Sequence, residues 1–224
     1  MAVARRTTAT LTQPGLFEQD AVEPHPRTLA QLRGAAATCE RCPLFEHATQ
    51  IVFGEGPLDA PVIFIGEQPG DQEDLQGKPF VGPAGRMFDR ALAEAGIDRQ
   101  RVYVTNAVKH FKFEQRGKRR LHKKPNAYEI ERCRWWLDRE IGLIGPQLAV
   151  ALGVTAARGL FSRAITIARV RGKVVPLRDG AEGFVTVHPS SLLRAPDEAA
   201  REREYAHFVH DMQLIAHHVP AIRI

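Results

Sequence analysis

Apolar and polar stretches alternate along the chain in a way that predicts strands and helices taking turns. Residues 61–66, Pro-Val-Ile-Phe-Ile-Gly, form an unbroken apolar run stopped by glycine, as in a strand buried on both faces. Residues 101–108 and 147–152 repeat that pattern, and residues 183–187 give a shorter version. Between these runs the spacing becomes helical. Residues 84–95 bring Met87, Phe88, Ala91, Leu92 and Ala95 to one side and stop at Gly96. Further helices are expected at 28–38, 126–141, 154–161 and, amphipathically, 196–217. Residues 166–178 suggest strands with a turn at Arg171-Gly172. Two stretches carry neither period and read as loops: the Gly- and Pro-rich 67–82 and the basic 112–125. Residues 1–27 also lack periodicity and read as a loose, disordered tail.

Such alternation predicts an α/β fold. We expect a single three-layer αβα domain over residues 28–224, built on a central, mostly parallel sheet. Ligands bind such sheets beyond the carboxyl ends of the strands. The segments that begin there are 66–82, 105–125 and 188–194, and they deserve the chemical reading.

Composition changes this picture little. Apolar residues make up 44% and charged residues 25%, ordinary for a globular protein. No apolar run reaches about 18 residues, so no membrane-spanning helix is expected. The basic start lacks the apolar stretch of a secretory signal. Three cysteines are odd in number and too few for a disulfide framework, which points to a reduced, cytoplasmic setting. The net charge of +5 hints at a polyanionic partner, and its distribution hints more strongly. Six of the 31 Lys and Arg residues fall between Arg116 and Lys124.

Four constellations carry candidate chemistry. Cys39-x-x-Cys42 has the spacing of a zinc or iron–sulfur ligand pair, although buried or incidental thiols share it. Cys133 is the remaining thiol, and His110 could supply a fourth ligand through an imidazole nitrogen. The second is Gly66-Glu67-Gln68-Pro69-Gly70-Asp71, followed by Glu73, Asp74 and a Pro-Phe80-Val-Gly-Pro-Ala-Gly segment. Its glycines allow close backbone approach to a ligand; a plain acidic loop is the simpler reading, and Phe80 argues against it. The third is the run from Arg116 to Pro125, a nucleic-acid contact or a merely solvated basic loop in which His122 is incidental. The fourth is His188-Pro-Ser190-Ser-Leu-Leu-Arg194, where a histidine at a strand end can stabilise an anion or simply make a turn.

Taken in order, these segments resemble family 4 uracil-DNA glycosylases. The resemblance rests on Gly-Glu-x-Pro-Gly, Gly-x-Pro-Phe-Val-Gly-x-Ala-Gly, Val-Thr-Asn-Ala-Val-Lys, Leu-Gly-x-Thr-Ala-Ala and His-Pro-Ser, and covers about residues 36–215. Two departures stand out. His110 replaces the fourth cluster cysteine, and the later loop inserts Lys118-Arg-Arg-Leu-His122-Lys123. Together with Gln68 they are similar to the UdgX subgroup, which attaches covalently to DNA.

The resemblance implies a [4Fe–4S] cluster held by Cys39, Cys42, His110 and Cys133; ligand type alone leaves zinc open. It implies that Phe80 stacks on a flipped uracil, Asn106 reads its polar edge and Glu73 crowds C5, within the loop of Gly66, Gly70 and Asp71. Stacking contributes about 1–3 kcal/mol and does not choose the base. His188 would hydrogen-bond the uracil oxygen, and His122 would attack C1′ of the sugar. Glu67 would orient or deprotonate His122, or position water. Gln68 stands where another branch uses an acidic residue and cannot act as a base. Lys118, Arg119, Arg120, Lys123 and Lys124 would bind phosphates, joined by Ser190 and Arg194. The expected partner is uracil-containing DNA, preferably single-stranded, with the protein a monomer and no protein partner implied. An ordinary turning-over glycosylase, a reversible uracil- or damaged-DNA-binding module and a zinc-bound nucleic-acid-binding protein are the competing readings.

Overall fold

The apolar runs become strands because each must present side chains to two separate cores. In the computed structural model, which describes residues 26–163, 165–177 and 180–224, the strands are β1 (Val62–Gly66), β2 (Val102–Asn106), β3 (Phe113–Arg116), β4 (Arg119–His122), β5 (Leu148–Leu152), β6 (Val174–Pro176) and β7 (Glu182–Thr186). Five of them form one sheet in the order β2-β1-β5-β7-β6. The first four of that order run parallel, and β6 closes one edge antiparallel to β7. On β1, Val62 and Phe64 enter one core while Ile63 and Ile65 enter the other. That alternation explains why no polar residue interrupts the run.

The helices are α1 (Leu29–Ala36), α2 (Asp71–Gln76), α3 (Pro83–Glu94), α4 (Ala127–Ile144), α5 (Gly153–Phe161), α6 (Ile167–Val170), α7 (Pro189–Leu192) and α8 (Glu198–His218). Leu32 of α1, Leu137 of α4 and Ala156 of α5 share the Ile63 core. Phe88 of α3, Leu192 of α7 and Phe208 of α8 share the Phe64 core. The result is the expected three-layer α/β architecture. Phe88, fully buried, packs on Phe64 and Phe80 with ring centroids 5.0 and 5.1 Å away. Truncating such a side chain to alanine typically costs about 3–5 kcal/mol.

The chain leaves β1 for β2 on one side, then crosses to β5 on the other. That reversal opens a crevice at the carboxyl ends of β1 and β5, where open α/β sheets bind ligands.

Three local expectations need correction. Residues 71–76, expected within a loop, form α2, whose first turn is capped by Glu73 accepting from the Gly70 amide at 3.1 Å. Six residues are too few for apolar periodicity to reveal a helix. The basic stretch 112–125 is not a simple loop: it holds the β3–β4 hairpin, which turns at Gly117 and pairs Phe113 with His122. Within the stretch 166–178, expected as strands, residues 167–170 form the single turn α6, while 174–176 are strand. The disordered tail expected over residues 1–27 falls almost wholly outside the described residues.

Candidate active site

Each of the three crevice segments is positioned by a strand end. Glu67 and Gln68 follow β1, Asn106 ends β2, and His188 follows β7 by two residues. They line one cavity of about 700 Å³, together with Phe80, Glu73 and His122. Its floor is flat by necessity. A Cβ on Gly66 would run into Asn106 Oδ1 and come within 2.9 Å of the Phe80 ring. Phe80 itself sits at φ 58°, a conformation that bulky residues avoid, yet it is buried against Phe88. Strain of this kind persists where surrounding packing enforces it, often at ligand sites.

Asn106 is 3% exposed, and among the described residues its carboxamide has no hydrogen-bond partner. A buried amide lining a pocket with its donor and acceptor unused is suited to reading a ligand edge. Glu73, by contrast, is committed: its carboxylate accepts from the Gly70 amide at 3.1 Å and the Gly82 amide at 2.8 Å. It therefore joins the starts of α2 and α3 and forms a fixed wall of the cavity.

Glu67 and His122 meet at the cavity rim. Glu67 Oε1 is 3.2 Å from His122 Nε2, and Glu67 Oε2 accepts from Thr155 Oγ1 at 2.6 Å. Burial acts to raise the Glu67 pKa, but the hydrogen bonds from His122 and Thr155 outweigh it and hold the carboxyl below its ordinary 4.5. His122 remains half exposed, within reach of a ligand. His188 is the opposite case. Burial pushes its pKa down to about 4 despite the pull of Glu67, so the ring is neutral near pH 7. Its Nδ1 accepts from the Ser190 amide at 3.1 Å, which leaves the proton on Nε2. Gly153, at φ 90°, lets this histidine approach, because a Cβ there would lie 3.0 Å from the His188 Cβ.

The hairpin is fastened at two levels. At its base, Gln68 Nε2 donates to the Lys112 and Lys123 carbonyls and Gln68 Oε1 accepts from the Lys112 amide, each at 3.1 Å. Gln68 is thus a clamp for the hairpin. Along its face, Arg120 pairs with Asp71 at 2.6 Å and with buried Asp74 at 2.5 Å, and lies over the rings of Phe111 and Phe113. Arg120, expected on phosphate, is instead held by the protein, and so is Asp71, expected on the substrate. Lys123 pairs with Glu114 at 2.5 Å. Lys118 and Arg119 are exposed at the hairpin end, and Lys124, Ser190 and Arg194 line the cavity.

The sequence is similar to known proteins over most of its length. The model of the uracil DNA glycosylase superfamily matches residues 53–213. The Type-4 uracil-DNA glycosylase of Thermotoga maritima is 38% identical over 70% of this chain and 78% of its own length. Those of Pyrobaculum aerophilum and Archaeoglobus fulgidus are 34% and 35% identical, over 75% and 71% of this chain and 86% and 80% of theirs. The chain belongs to the uracil-DNA glycosylase superfamily. Thr155, which donates to the Glu67 carboxylate, was not singled out from sequence although it lies in the Leu-Gly-x-Thr-Ala-Ala segment.

Away from the cavity, the glycosylase-family domain gathers its thiols. Cys42 and Cys133 are buried in one core, and Cys39 packs against it. Cys39 Sγ accepts from Trp136 Nε1, and Cys133 Sγ accepts from the Lys109 amide, each at 3.1 Å. Burial pushes Cys133 up to about 12 and raises Cys42 as well, and the three thiols bear electrostatically on one another. His110 is buried, which lowers its pKa. Among the described residues, no group of three or more His, Cys, Asp or Glu has the arrangement of a metal site. No helix among them is long and apolar enough to cross a membrane.

Proposed function

We propose that the protein excises uracil from DNA and that His122 then captures C1′ of the sugar in place of water, as in the UdgX subgroup. The observation that carries this reading is the His122–Glu67 pair, 3.2 Å apart at the rim of the cavity that Phe80 and Asn106 floor. Relatives named Type-4 uracil-DNA glycosylases support the excision half of the proposal.

The chemistry follows from the residues present. A base must leave the stack to be reached, unless the strand is single. Phe80 offers a ring face to the flipped base, and the free carboxamide of Asn106 pairs with its carbonyl and N3–H. The fixed Glu73 carboxylate limits room beside C5. As the N1–C1′ bond breaks, its electron pair leaves with uracil, and His188 Nε2–H hydrogen-bonds the developing oxyanion. The lone pair on the unprotonated nitrogen of His122 then forms a bond to the cationic C1′. The positive charge passes to the imidazole ring, facing the Glu67 carboxylate. Uracil ultimately takes up the proton that the ring gives up through Glu67 or solvent. Lys118, Arg119, Lys124 and Arg194 serve the DNA backbone.

The donor chemistry at the thiols fits an iron–sulfur cluster. Cys39, Cys42 and Cys133 are soft ligands, two of which already accept N–H hydrogen bonds of the kind that stabilise sulfur anions. Those three with His110 would hold a [4Fe–4S] cluster, with zinc as the alternative from ligand type. Bound there, it would act as a structural tie between the segment before β1 and α4. Iron and sulfide analysis of the purified protein, with its visible absorbance, separates cluster from zinc.

Intact-mass spectrometry after incubation with uracil-containing single-stranded DNA tests the whole reading. The expected product is protein plus DNA less uracil, stable to boiling in detergent, with the added mass on the peptide that contains His122. His122→Ser should lose the adduct. Multiple turnovers with a free abasic product would instead support an ordinary glycosylase. Reversible binding with no uracil release would support a binding module.

A further inference from the structure

One buried charge has no part in the chemistry above. The Lys109 side chain is 0% exposed, and its ammonium makes three hydrogen bonds. It donates to Thr105 Oγ1 and to the Asn106 main-chain carbonyl, each at 2.7 Å, and to Glu140 Oε2. Glu140, equally buried, uses its other oxygen to accept from Tyr103 Oη at 2.8 Å and the Gly54 amide at 3.0 Å. Every group of this network is satisfied. Stability does not call for it, because well-packed apolar side chains of similar volume serve a core as well as a buried ion pair.

Its geometry concerns one residue. Asn106 is the last residue of β2 in register with β1, opposite Gly66. Its carbonyl is capped by Lys109, whose own amide donates to Cys133 Sγ and whose carbonyl accepts from the Val52 amide at 2.9 Å. Lys109 is therefore anchored at both main-chain groups and at the end of its side chain. A carboxamide that reads a base is only as selective as its backbone is fixed, and a small misplacement costs a reaction about 100-fold.

We propose that Lys109, held by Glu140, is a positioning residue for base recognition: it fixes the main chain of Asn106 and, through its amide, couples that position to Cys133. This rests on the reading of Asn106 as the residue that contacts uracil.

The test is a double-mutant cycle on single-turnover uracil release from single-stranded DNA. The matched variant Lys109→Met/Glu140→Gln removes both charges while leaving acceptors for Tyr103 and Gly54. We expect its maximal rate to fall by about 10-fold or more, with the half-saturating DNA concentration changed by less than about twofold. In an Asn106→Ala background the same substitutions should add nothing beyond about twofold, since the residue they position has lost its amide. Thr105→Val removes one acceptor of the ammonium and one donor to Glu140 Oε2 while leaving both charges in place, and it replaces the matched variant if that fails to fold. A parent-like rate in the variant that folds overturns the inference. So does a rate loss that is additive with Asn106→Ala. If Asn106→Ala alone releases uracil at the parent rate, the base-reading role of Asn106 fails, and this inference with it.

Discussion

Replacing Glu67 by glutamine changes one charge at nearly constant shape. Glutamine can keep a hydrogen bond to Thr155, so the side chain stays in place. What it cannot do is offset the positive charge that His122 would acquire in the proposed bond to C1′. Unit charges 3.2 Å apart attract by about 1.3 kcal/mol in water and about 5 kcal/mol at an effective dielectric of about 20. Glu67 is 21% exposed and His122 51%, so screening brings the value to about 2–3 kcal/mol. Expressed as a rate, that is a loss of about 30- to 150-fold in adduct formation. The assay is single-turnover incubation with uracil-containing single-stranded DNA, quenched in detergent and followed by the gel-shifted fraction over time. Because the Glu67 carboxyl lies below its ordinary 4.5, its charge is present throughout neutral and mildly acid solution and is lost only as pH falls through that lowered value. The gap between the two proteins should therefore persist to pH 5 and close only in stronger acid. Glu67→Gln forming adduct within about threefold of the parent at pH 7 would refute the argument that this charge supports attack.

Other outcomes follow from the same geometry. Arg120→Met leaves the fully buried Asp74 carboxylate without its cation and with the Thr49 amide as its remaining donor, so we expect a loss of about 3 kcal/mol and a fall in Tm of about 6–12 °C by thermal denaturation. An unchanged Tm would mean the hairpin is not held by this pair. His188 is neutral above about 4, so lowering the pH from 7 to 5.5 should leave uracil release intact, whereas His188→Ala should slow it about 100- to 1000-fold at both pH values. A decline of the parent rate centred near pH 6.5 would show that His188 titrates like an exposed histidine. Gly153→Ala forces a side chain into a left-handed backbone 3.0 Å from His188, and should cost about 1–3 kcal/mol in denaturant unfolding while also slowing release.

The strands were readable from sequence because a sheet covered on both faces favours an unbroken apolar run, which β1 and β5 show throughout and β2 shows up to Thr105 and Asn106 at its carboxyl end. Most of the residues brought to the cavity were readable too, since Glu67, Phe80, Asn106 and His188 follow apolar runs or sit between glycines. The hairpin was not. Arg116 to His122 has no apolar alternation, and what shapes it lies far away in sequence: Gln68 at its base and Asp71 and Asp74 against Arg120. Basic side chains that look equivalent in the sequence consequently divide. Arg120 is part-buried and paired with Asp71 and Asp74, while Lys118 and Arg119 remain exposed.

By itself, then, the sequence determined the α/β layering, the strand ends that carry the chemistry and the membership of the motifs in one glycosylase superfamily, because periodicity and local spacing are properties of neighbouring residues. Only the tertiary structure decided which charges are free. Whether Arg120 meets a phosphate or Asp74, whether Glu73 is loose or pinned by two amides, and whether Lys109 is a surface lysine or the buried anchor of Asn106 depends on groups brought together from distant segments. Their desolvation and pairing exist only once the chain has folded.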